Sequence, residues 1–298
     1  LFTIKRKKLF QYDSKKNLIE WWVFFPKNIM NICWIFDEGA KYQVLIGLGS
    51  IIKNNPNQDF NFYFIIPPNQ TIDIHNYSIL LSKHSTIYVK HFLPNQTYLS
   101  ERSNLTCQWS NIIVVKIFLR EILTNIDKVL YIDTDVMCVS PIHQLLNFPI
   151  ERKTIAVPRR IFLQFNYINS GVVLYNLKYL RQKDENLWIC ANKRRCPVDD
   201  IWHTHCHGSE MIELPYRYNV EFHPMVHMKE EPKRLLDEES KACFYHLKDF
   251  YHNVYTNNIS YFKNISLFAR NFSSSIDTFE SIAQTRNCET KSSKCRLL

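Results

Sequence analysis

The feature that most constrains this chain is a short apolar run that ends in two carboxylates one residue apart. Residues 129–136 read Val-Leu-Tyr-Ile-Asp-Thr-Asp-Val, and the first four side chains are typical of a strand buried on both faces of a sheet. Asp133 and Asp135 would lie on the same side of an extended chain, and burying them unpaired carries a severe desolvation penalty. They are therefore predicted at the carboxyl end of the strand, in the crevice where open α/β sheets bind ligands.

Two carboxylates with no Lys or Arg beside them favour a hard divalent cation, and a cation held in this way usually also binds phosphate. The alternative is a strand that leaves the core through a solvated Asp-Thr-Asp turn. These residues alone leave both interpretations open, and the rest of the chain must decide between them.

The pattern around this strand predicts an α/β fold. Residues 31–36 predict a first strand, residues 42–52 an amphipathic helix, and residues 60–66 a second strand. This order favours a Rossmann-like, mostly parallel central sheet that is flanked by helices and joined by right-handed crossovers. A less clear repeat is expected at 72–81 and 86–92, a strongly apolar helix at 112–123, short strands at 137–139, 155–157 and 172–175, and helices that begin near Ser140 and Asn176.

Composition bounds the classes of protein and the domain organisation. The chain of 298 residues is 46% hydrophobic and 22% charged, which is ordinary for a globular protein, and no apolar stretch has the length of a membrane span. Its net charge of +9 is not organised into a nucleic-acid module, so we expect anionic ligands or glycans and no nucleic acid. We predict a stem or N-terminal extension over 1–30, one domain over 31–272, and a polar C-terminal tail over 273–298.

Potential N-glycosylation sites and cysteines indicate the compartment. Asn-x-Ser/Thr occurs seven times with no Pro in the middle, which favours the secretory pathway. The sites are Asn69, Asn76, Asn95, Asn104, Asn258, Asn264 and Asn271.

Of the nine cysteines, Cys33 and Cys138 lie in apolar strands and are predicted to be buried thiols. Pairs in polar segments are candidate disulfides, namely Cys190 with Cys196 and Cys288 with Cys295. A zinc site formed by Cys190, Cys196 and residues 203–207 is an alternative, although the spacing is not that of a standard finger or knuckle.

Three separated motifs carry a resemblance to a known family. Asp133-Thr134-Asp135 is followed by the run from Asn169-Ser170-Gly171 to Leu177 and then by His246. This order resembles family 8 glycosyltransferases, which are retaining enzymes of the GT-A fold that use nucleotide sugars and a divalent metal. The resemblance implies that residues 31–272 form a GT-A domain with its Asp-x-Asp motif at a strand end.

Within that family, four segments look most like the glucoside xylosyltransferases: residues 129–136, 169–181, 215–219 and 251–252. The resemblance implies transfer of xylose from UDP-xylose to O-linked glucose on the EGF-like repeats of a glycoprotein acceptor. It also implies a type II membrane protein of the Golgi or ER lumen. Because the chain begins with Leu1 and not with Met, we expect the membrane anchor or signal to be absent from it.

Residue by residue, the resemblance implies a metal site next to a donor site. Asp133 and Asp135 match the metal-binding motif and His246 matches the third ligand, with Mn²⁺ as the expected ion and Mg²⁺ as the alternative. The UDP-sugar donor is expected to contact Lys116 and Lys248 at the diphosphate, Asn169, Ser170 and Gly171 at the sugar, and Asp37 and Tyr42 at the nucleobase. Without the resemblance, Lys116 would be interpreted as a lysine that extends from an apolar helix towards solvent.

Asp199 and Asp200 fall near the family's Asp-Gln-Asp element beside the reacting carbon. They are expected to orient the acceptor or to stabilise an oxocarbenium-like centre. Retention is expected through front-face attack, with the leaving phosphate helping to deprotonate the acceptor hydroxyl.

Two alternatives stay open. One is a family 8 enzyme that transfers glucose or galactose, because donor choice depends on small differences in the pocket. The other is a non-catalytic member that binds glycans, since Leu247-Lys248-Asp249 lacks the glycines that the family places after its metal-binding histidine.

Overall fold

The computed structural model describes residues 4–12, 18–26, 29–74, 81, 85–92, 111–162, 165–183, 210–221 and 241–246. The N-terminal region forms a hairpin in which β1 (Ile4–Tyr12) pairs antiparallel with β2 (Leu18–Pro26). The sequence predicted no regular element there, since its apolar residues follow no clean period. The disulfide pairs, the alternative zinc site and most of the helix predicted at 72–81 lie outside the described residues.

The centre of the fold is one mixed sheet with mostly parallel strands, as the sequence predicted. Its order is β11-β8-β10-β6-β3-β4-β5, and β9 pairs with β8 outside this path. The strands are β3 (Ile29–Ile35), β4 (Asp59–Ile66), β5 (Thr86–His91), β6 (Lys128–Ile132), β8 (Ile155–Phe162), β9 (Phe165–Ile168), β10 (Val172–Asn176) and β11 (Met211–Leu214).

Strand β10 runs against its neighbours, and this direction positions the functional site. It is antiparallel to both β6 and β8, whereas β3 is parallel to β4 and β6. Val172 pairs with Ile132, so the start of β10 lies beside the end of β6. The turn before β10 therefore meets the Asp-x-Asp turn at the same edge of the sheet.

The central strands are buried on both faces, which explains their nearly continuous apolar sequence. Along β4, Phe60, Phe62 and Phe64 enter one hydrophobic cluster, while Tyr63 and Ile65 enter the cluster on the opposite face. The first cluster is covered by α1 (Lys41–Asn54), which contributes one apolar side of its surface. These elements match the strand and helix that the sequence predicts at 60–66 and 42–52.

The helix predicted at 112–123 is present, but most of it is a 3-10 helix. Residues Asn111–Phe118 form a 3-10 helix, and only α2 (Leu119–Ile122) is α-helical. The run Ile112-Ile113-Val114-Val115 is β-branched throughout, and such side chains lower the α-helical propensity of a segment. Short helices follow at α3 (His143–Leu146) and α4 (Leu177–Arg181), where Asn176 caps α4 by accepting the N–H of Tyr179 at 3.1 Å.

A second, three-stranded sheet completes the described fold. It pairs β12 (Val220–Glu221) with β13 (Phe244–His246), and β13 with β7 (Val136–Cys138). Because β7 directly follows the Asp-x-Asp turn and pairs with β13, this sheet places residues 244–246 beside that turn. Cys33 and Cys138 are buried free thiols, as predicted. Within the described residues, the helices are too short or too polar to span a membrane.

Candidate functional site

The candidate site is formed where three backbone segments meet at the carboxyl end of β6. The N–H of Asp133 donates to the carbonyl oxygen of Gly171 at 2.7 Å, which joins the Asp-x-Asp turn to the turn before β10. On the other side of the turn, Val136 pairs with His246 in the antiparallel register of β7 and β13. The backbone therefore brings Gly171 and His246 to either side of the two aspartates.

The side chains of Asp133, Asp135 and His246 converge in this crevice. His246 Nε2 lies 3.1 Å from Asp135 Oδ1 and 4.0 Å from Asp133 Oδ2. One ligand atom from each residue can be chosen so that all of them lie within 4.8 Å of one another. The imidazole is only 4% exposed, whereas the carboxylates are 27% and 30% exposed, so the group opens towards solvent through its acidic side.

This donor set fits a divalent cation. Ligand atoms at adjacent positions around an octahedral ion lie about 3 Å apart when each is about 2.1 Å from the ion. The separation between His246 Nε2 and Asp135 Oδ1 already has that value. Two carboxylates suit Mg²⁺ or Mn²⁺, and the imidazole favours Mn²⁺ over Mg²⁺.

The charge of Asp135 is governed by burial and by the neighbouring histidine. Burial raises the pKa of Asp135. The charge of a protonated His246 and the hydrogen bond between the two side chains lower this pKa by more than burial raises it, so the net shift is downward. Asp135 is therefore ionised at neutral pH, which a carboxylate ligand of a metal must be.

Lys116 and Tyr131 hold the first aspartate from the protein side. Lys116 Nζ lies 2.9 Å from Asp133 Oδ1, 3.2 Å from Ser170 Oγ and 4.5 Å from the centre of the Tyr131 ring. The Tyr131 hydroxyl also donates to Asp133 Oδ1. Burial, followed by the charge of Asp133, raises the pKa of Tyr131 well above its usual value, so the phenol stays a proton donor. With Oδ1 held by two donors, Oδ2 faces His246.

The Asn169-Ser170-Gly171 turn packs directly against the histidine. Gly171 N donates to Asn169 Oδ1 at 2.8 Å, and both Asn169 and Ser170 are buried. A Cβ atom on Gly171 would lie 2.8 Å from Asn169 Oδ1 and closer still to the His246 ring. The sequence attributed this glycine to close approach of the donor sugar, and the structure shows a second reason, which is the space taken by His246.

The remaining predicted site residues lie at the edge of this region or outside the described residues. Asp37 follows β3 at the same end of the sheet and accepts the N–H of Gly39 at 3.0 Å. Tyr42 lies in the first turn of α1. Asp199, Asp200 and Lys248 fall outside the described residues.

Two residues of the site were missed by the sequence reasoning. Tyr131 lies two positions before Asp133, and the two-residue period of a strand places both side chains on one side, so a signal was present. Asn219, whose Oδ1 is 3.2 Å from His246 Nδ1, ends the segment 215–219 that carries part of the resemblance. Nothing in that segment indicates a contact with the histidine, because the contact depends on the pairing of β12 with β13.

A mixed α/β sheet with an Asp-x-Asp turn at its edge and a histidine beside it defines the GT-A class of glycosyltransferase. The sequence model described as glycosyl transferase family 8 matches residues 40–246, so the chain belongs to this family. The family and the fold that the motifs implied are thereby confirmed.

Several relatives align at low identity. The lipopolysaccharide 1,2-glucosyltransferase of Escherichia coli K12 is 24% identical in an alignment of 259 positions, gaps included, that covers 75% of this chain and 74% of the relative. A putative glycosyltransferase of Haemophilus influenzae is 26% identical in an alignment of 175 positions that covers 53% of this chain and 51% of the relative.

Solved structures share the fold. The galactosyltransferase LgtC, in complex with donor and acceptor sugar analogues, superposes with a TM-score of 0.55 at 17% identity over 73% of this chain and 86% of its own. Mouse xyloside xylosyltransferase 1 in its apo form gives 0.51 at 13% identity over 74% of this chain and 97% of its own. At these identities the likeness supports the architecture alone.

The contact between Gly171 and His246 yields a testable prediction. A Gly171→Ala substitution should push the imidazole away from Asp135, because the added methyl group would overlap the ring. We expect Mn²⁺ affinity, measured by isothermal titration calorimetry, to fall by at least about tenfold. Gly39→Ala is the control, because its added methyl group would meet Asp37 Oδ1 and none of the three candidate ligands, and it should keep an affinity close to wild type. Equal Mn²⁺ affinity in Gly171→Ala and wild type would contradict this account of the glycine.

Proposed function

We propose that this chain transfers a glycosyl group from a UDP-sugar to a sugar acceptor, with retention of configuration, and that Asp133, Asp135 and His246 hold the divalent metal that the reaction requires. The observation that carries the proposal is the convergence of the three ligand atoms within 4.8 Å at the carboxyl edge of the sheet. Membership of family 8 supports the reaction class.

The chemistry explains why these residue types are suited to the site. Cleavage of the bond between sugar and diphosphate leaves negative charge on the phosphate oxygens, and a bound Mn²⁺ or Mg²⁺ supplies positive charge that stabilises it. Lys116 adds a second positive charge from a buried position next to Asp133 and Ser170. Because its ammonium group is already held by neighbours, little reorganisation is needed when a diphosphate enters.

We propose the remaining roles from the family pattern. Asn169, Ser170 and Gly171 contact the donor sugar, and Asp37 and Tyr42 contact the nucleobase. Lys248 contributes to the diphosphate site. Asp199 and Asp200 orient the acceptor or stabilise the oxocarbenium-like centre, while a leaving phosphate oxygen takes the proton of the attacking hydroxyl.

Two donor classes have support. A hexose, glucose or galactose, is supported by the name of the Escherichia coli relative, a glucosyltransferase that aligns with three quarters of the chain. Xylose, with O-linked glucose on EGF-like repeats as acceptor, is supported by the sequence segments that resemble glucoside xylosyltransferases. The same region of the site would serve either donor, because the metal and Lys116 contact the diphosphate and not the sugar.

A panel of UDP-sugars separates these functions. We expect Mn²⁺-dependent release of UDP from UDP-glucose or UDP-galactose if the donor is a hexose, and from UDP-xylose alone if it is xylose. NMR of the product should show the same anomeric configuration as the donor. Failure to bind UDP or to turn over any donor with any divalent metal would contradict the enzymatic proposal and favour a glycan-binding protein.

The metal assignment can be tested at Asp135. Asp135→Asn removes one ligand charge and should abolish turnover while leaving the far-UV circular dichroism and thermal unfolding of the protein close to wild type. The matched control is Asp127→Asn, which changes an aspartate that is 69% exposed and pairs with Arg181 on the surface. Near-normal turnover in Asp135→Asn would exclude the proposed metal site.

We also propose that the protein acts in the lumen of the ER or Golgi, as a type II membrane protein. Asn69 of the Asn69-Gln70-Thr71 acceptor motif is exposed in the turn after β4, which is the location that N-glycosylation needs. Expressed in a eukaryotic secretory host, the protein should gain electrophoretic mobility on treatment with an N-glycosidase. Asn69→Gln should remove the equivalent of one glycan, and an unglycosylated wild-type protein would contradict the proposal.

A further inference from the structure

The far side of the His246 ring contacts a buried asparagine that the family motifs do not assign to the metal site. His246 Nδ1 lies 3.2 Å from Asn219 Oδ1, and Asn219 is 2% exposed. The opposite ring nitrogen, Nε2, is the atom that faces Asp135. Asn219 therefore contacts the imidazole of His246 on its Nδ1 side, away from Nε2, and does not contact the candidate metal position.

The orientation of the Asn219 amide is determined by a second asparagine. Asn219 Nδ2 donates to Asn169 Oδ1 at 2.9 Å and to the Asn169 carbonyl oxygen at 3.3 Å. Rotating the amide by half a turn would place its oxygen against two acceptors and lose both hydrogen bonds. The Asn169 amide is oriented in turn, because its Oδ1 also accepts the N–H of Gly171.

This chain of hydrogen bonds selects one tautomer of His246. Asn219 Oδ1 can only accept a hydrogen bond, so His246 Nδ1 must carry a proton and donate it to this oxygen. Without a metal, Nε2 donates to Asp135 Oδ1 at 3.1 Å. Once that proton is lost, the proton on Nδ1 leaves the lone pair on Nε2, which is the nitrogen that a metal would use. Partners of this kind orient metal-binding histidines in many proteins.

The backbone keeps Asn219 in register with the histidine. A 3-10 helix over Tyr216–Tyr218 ends at Asn219, whose N–H donates to the carbonyl of Tyr216 at 2.8 Å. The following strand, β12, pairs in parallel with β13, the strand that ends at His246. In addition, Cys243 N donates to the Arg217 carbonyl at 2.7 Å. The two side chains thus belong to one rigid unit.

We propose that Asn219 is a positioning residue, which fixes the tautomer and ring orientation of His246 for metal binding and couples this ligand to the donor-binding turn through Asn169. The inference rests on the proposed metal-dependent function and extends it to a residue outside the metal's own ligands. Loss of Asn219 should weaken metal binding without removing a ligand atom.

Two substitutions distinguish the effect of the acceptor oxygen of Asn219 from the effect of the rest of its side chain. Asn219→Leu keeps a similar volume but offers no acceptor to Nδ1, and we expect Mn²⁺ affinity by calorimetry to fall about 10–100-fold. Asn219→Asp keeps an oxygen acceptor for Nδ1 and should retain more of the Mn²⁺ affinity than the leucine variant, although it loses the donor to Asn169. Equal affinities in wild type and a folded leucine variant would overturn the proposal, as would a loss in the aspartate variant as large as that in the leucine variant.

The control is Asn31→Leu at the opposite end of the sheet. Asn31 Nδ2 donates to the Lys128 carbonyl at 3.1 Å, so this change also removes a partly buried asparagine from the core. It should lower thermal stability without changing Mn²⁺ affinity. An equal loss of Mn²⁺ affinity in Asn31→Leu and Asn219→Leu would assign the effect to general destabilisation and overturn the positioning role.

A direct readout is the hydrogen bond at His246 Nδ1 itself. Nitrogen-15-correlated proton NMR of the wild-type protein, with His246 assigned by comparison with His246→Gln, should show an Nδ1–H proton that is shifted downfield by its contact with Asn219 Oδ1. A ring that carries no proton on Nδ1 would overturn the proposal whether or not any variant folds. A wild-type protein that shows this Nδ1–H proton but binds no Mn²⁺ would instead refute the proposed function and leave the orienting contact intact.

Discussion

The antiparallel pairing of β10 with β6 is the constraint on which the site depends. In an all-parallel sheet, the carboxyl end of the strand beside β6 would lie next to Asp133, and the turn that precedes that strand would lie at the far edge. Here the reversed strand places Gly171 beside Asp133, and one backbone hydrogen bond of 2.7 Å joins them. The Asn169-Ser170-Gly171 turn and the Asp-x-Asp turn are thereby brought together before any side chain is considered.

Charge compensation explains how acidic groups persist at this edge. Asp133 is neutralised by Lys116 and receives a hydrogen bond from Tyr131, whereas Asp135 faces the imidazole of His246. A buried lysine with no carboxylate beside it, or two carboxylates with no cation, would each carry a large desolvation cost. The arrangement distributes the positive charges on two sides of the aspartates, with the solvent-facing side left for a ligand.

The sequence predicted the parts of this structure that depend on local pattern. The strands around Phe62 and Leu130, helix α1, the start of a helix near Asn176 and the convergence of Asp133, Asp135 and His246 all follow from periodicity or from motif order. It did not predict the direction of β10, because strand direction is decided by the tertiary connection. Tyr131 could have been found from strand alternation, whereas Asn219 is brought to the site only by the pairing of β12 with β13.

The hydrogen-bonded path from Gly171 through Asn169 and Asn219 to His246 has a consequence for how the site works. Each group in this path has its orientation determined by the next, and Asn169, Asn219 and His246 are all buried. A ligand that moves the turn at 169–171 would therefore also move His246, the proposed metal ligand. Since such coupling is reciprocal, a cation that orders His246 would prepare the same turn for the proposed donor. The proposed metal and donor sites are thus parts of one packed unit.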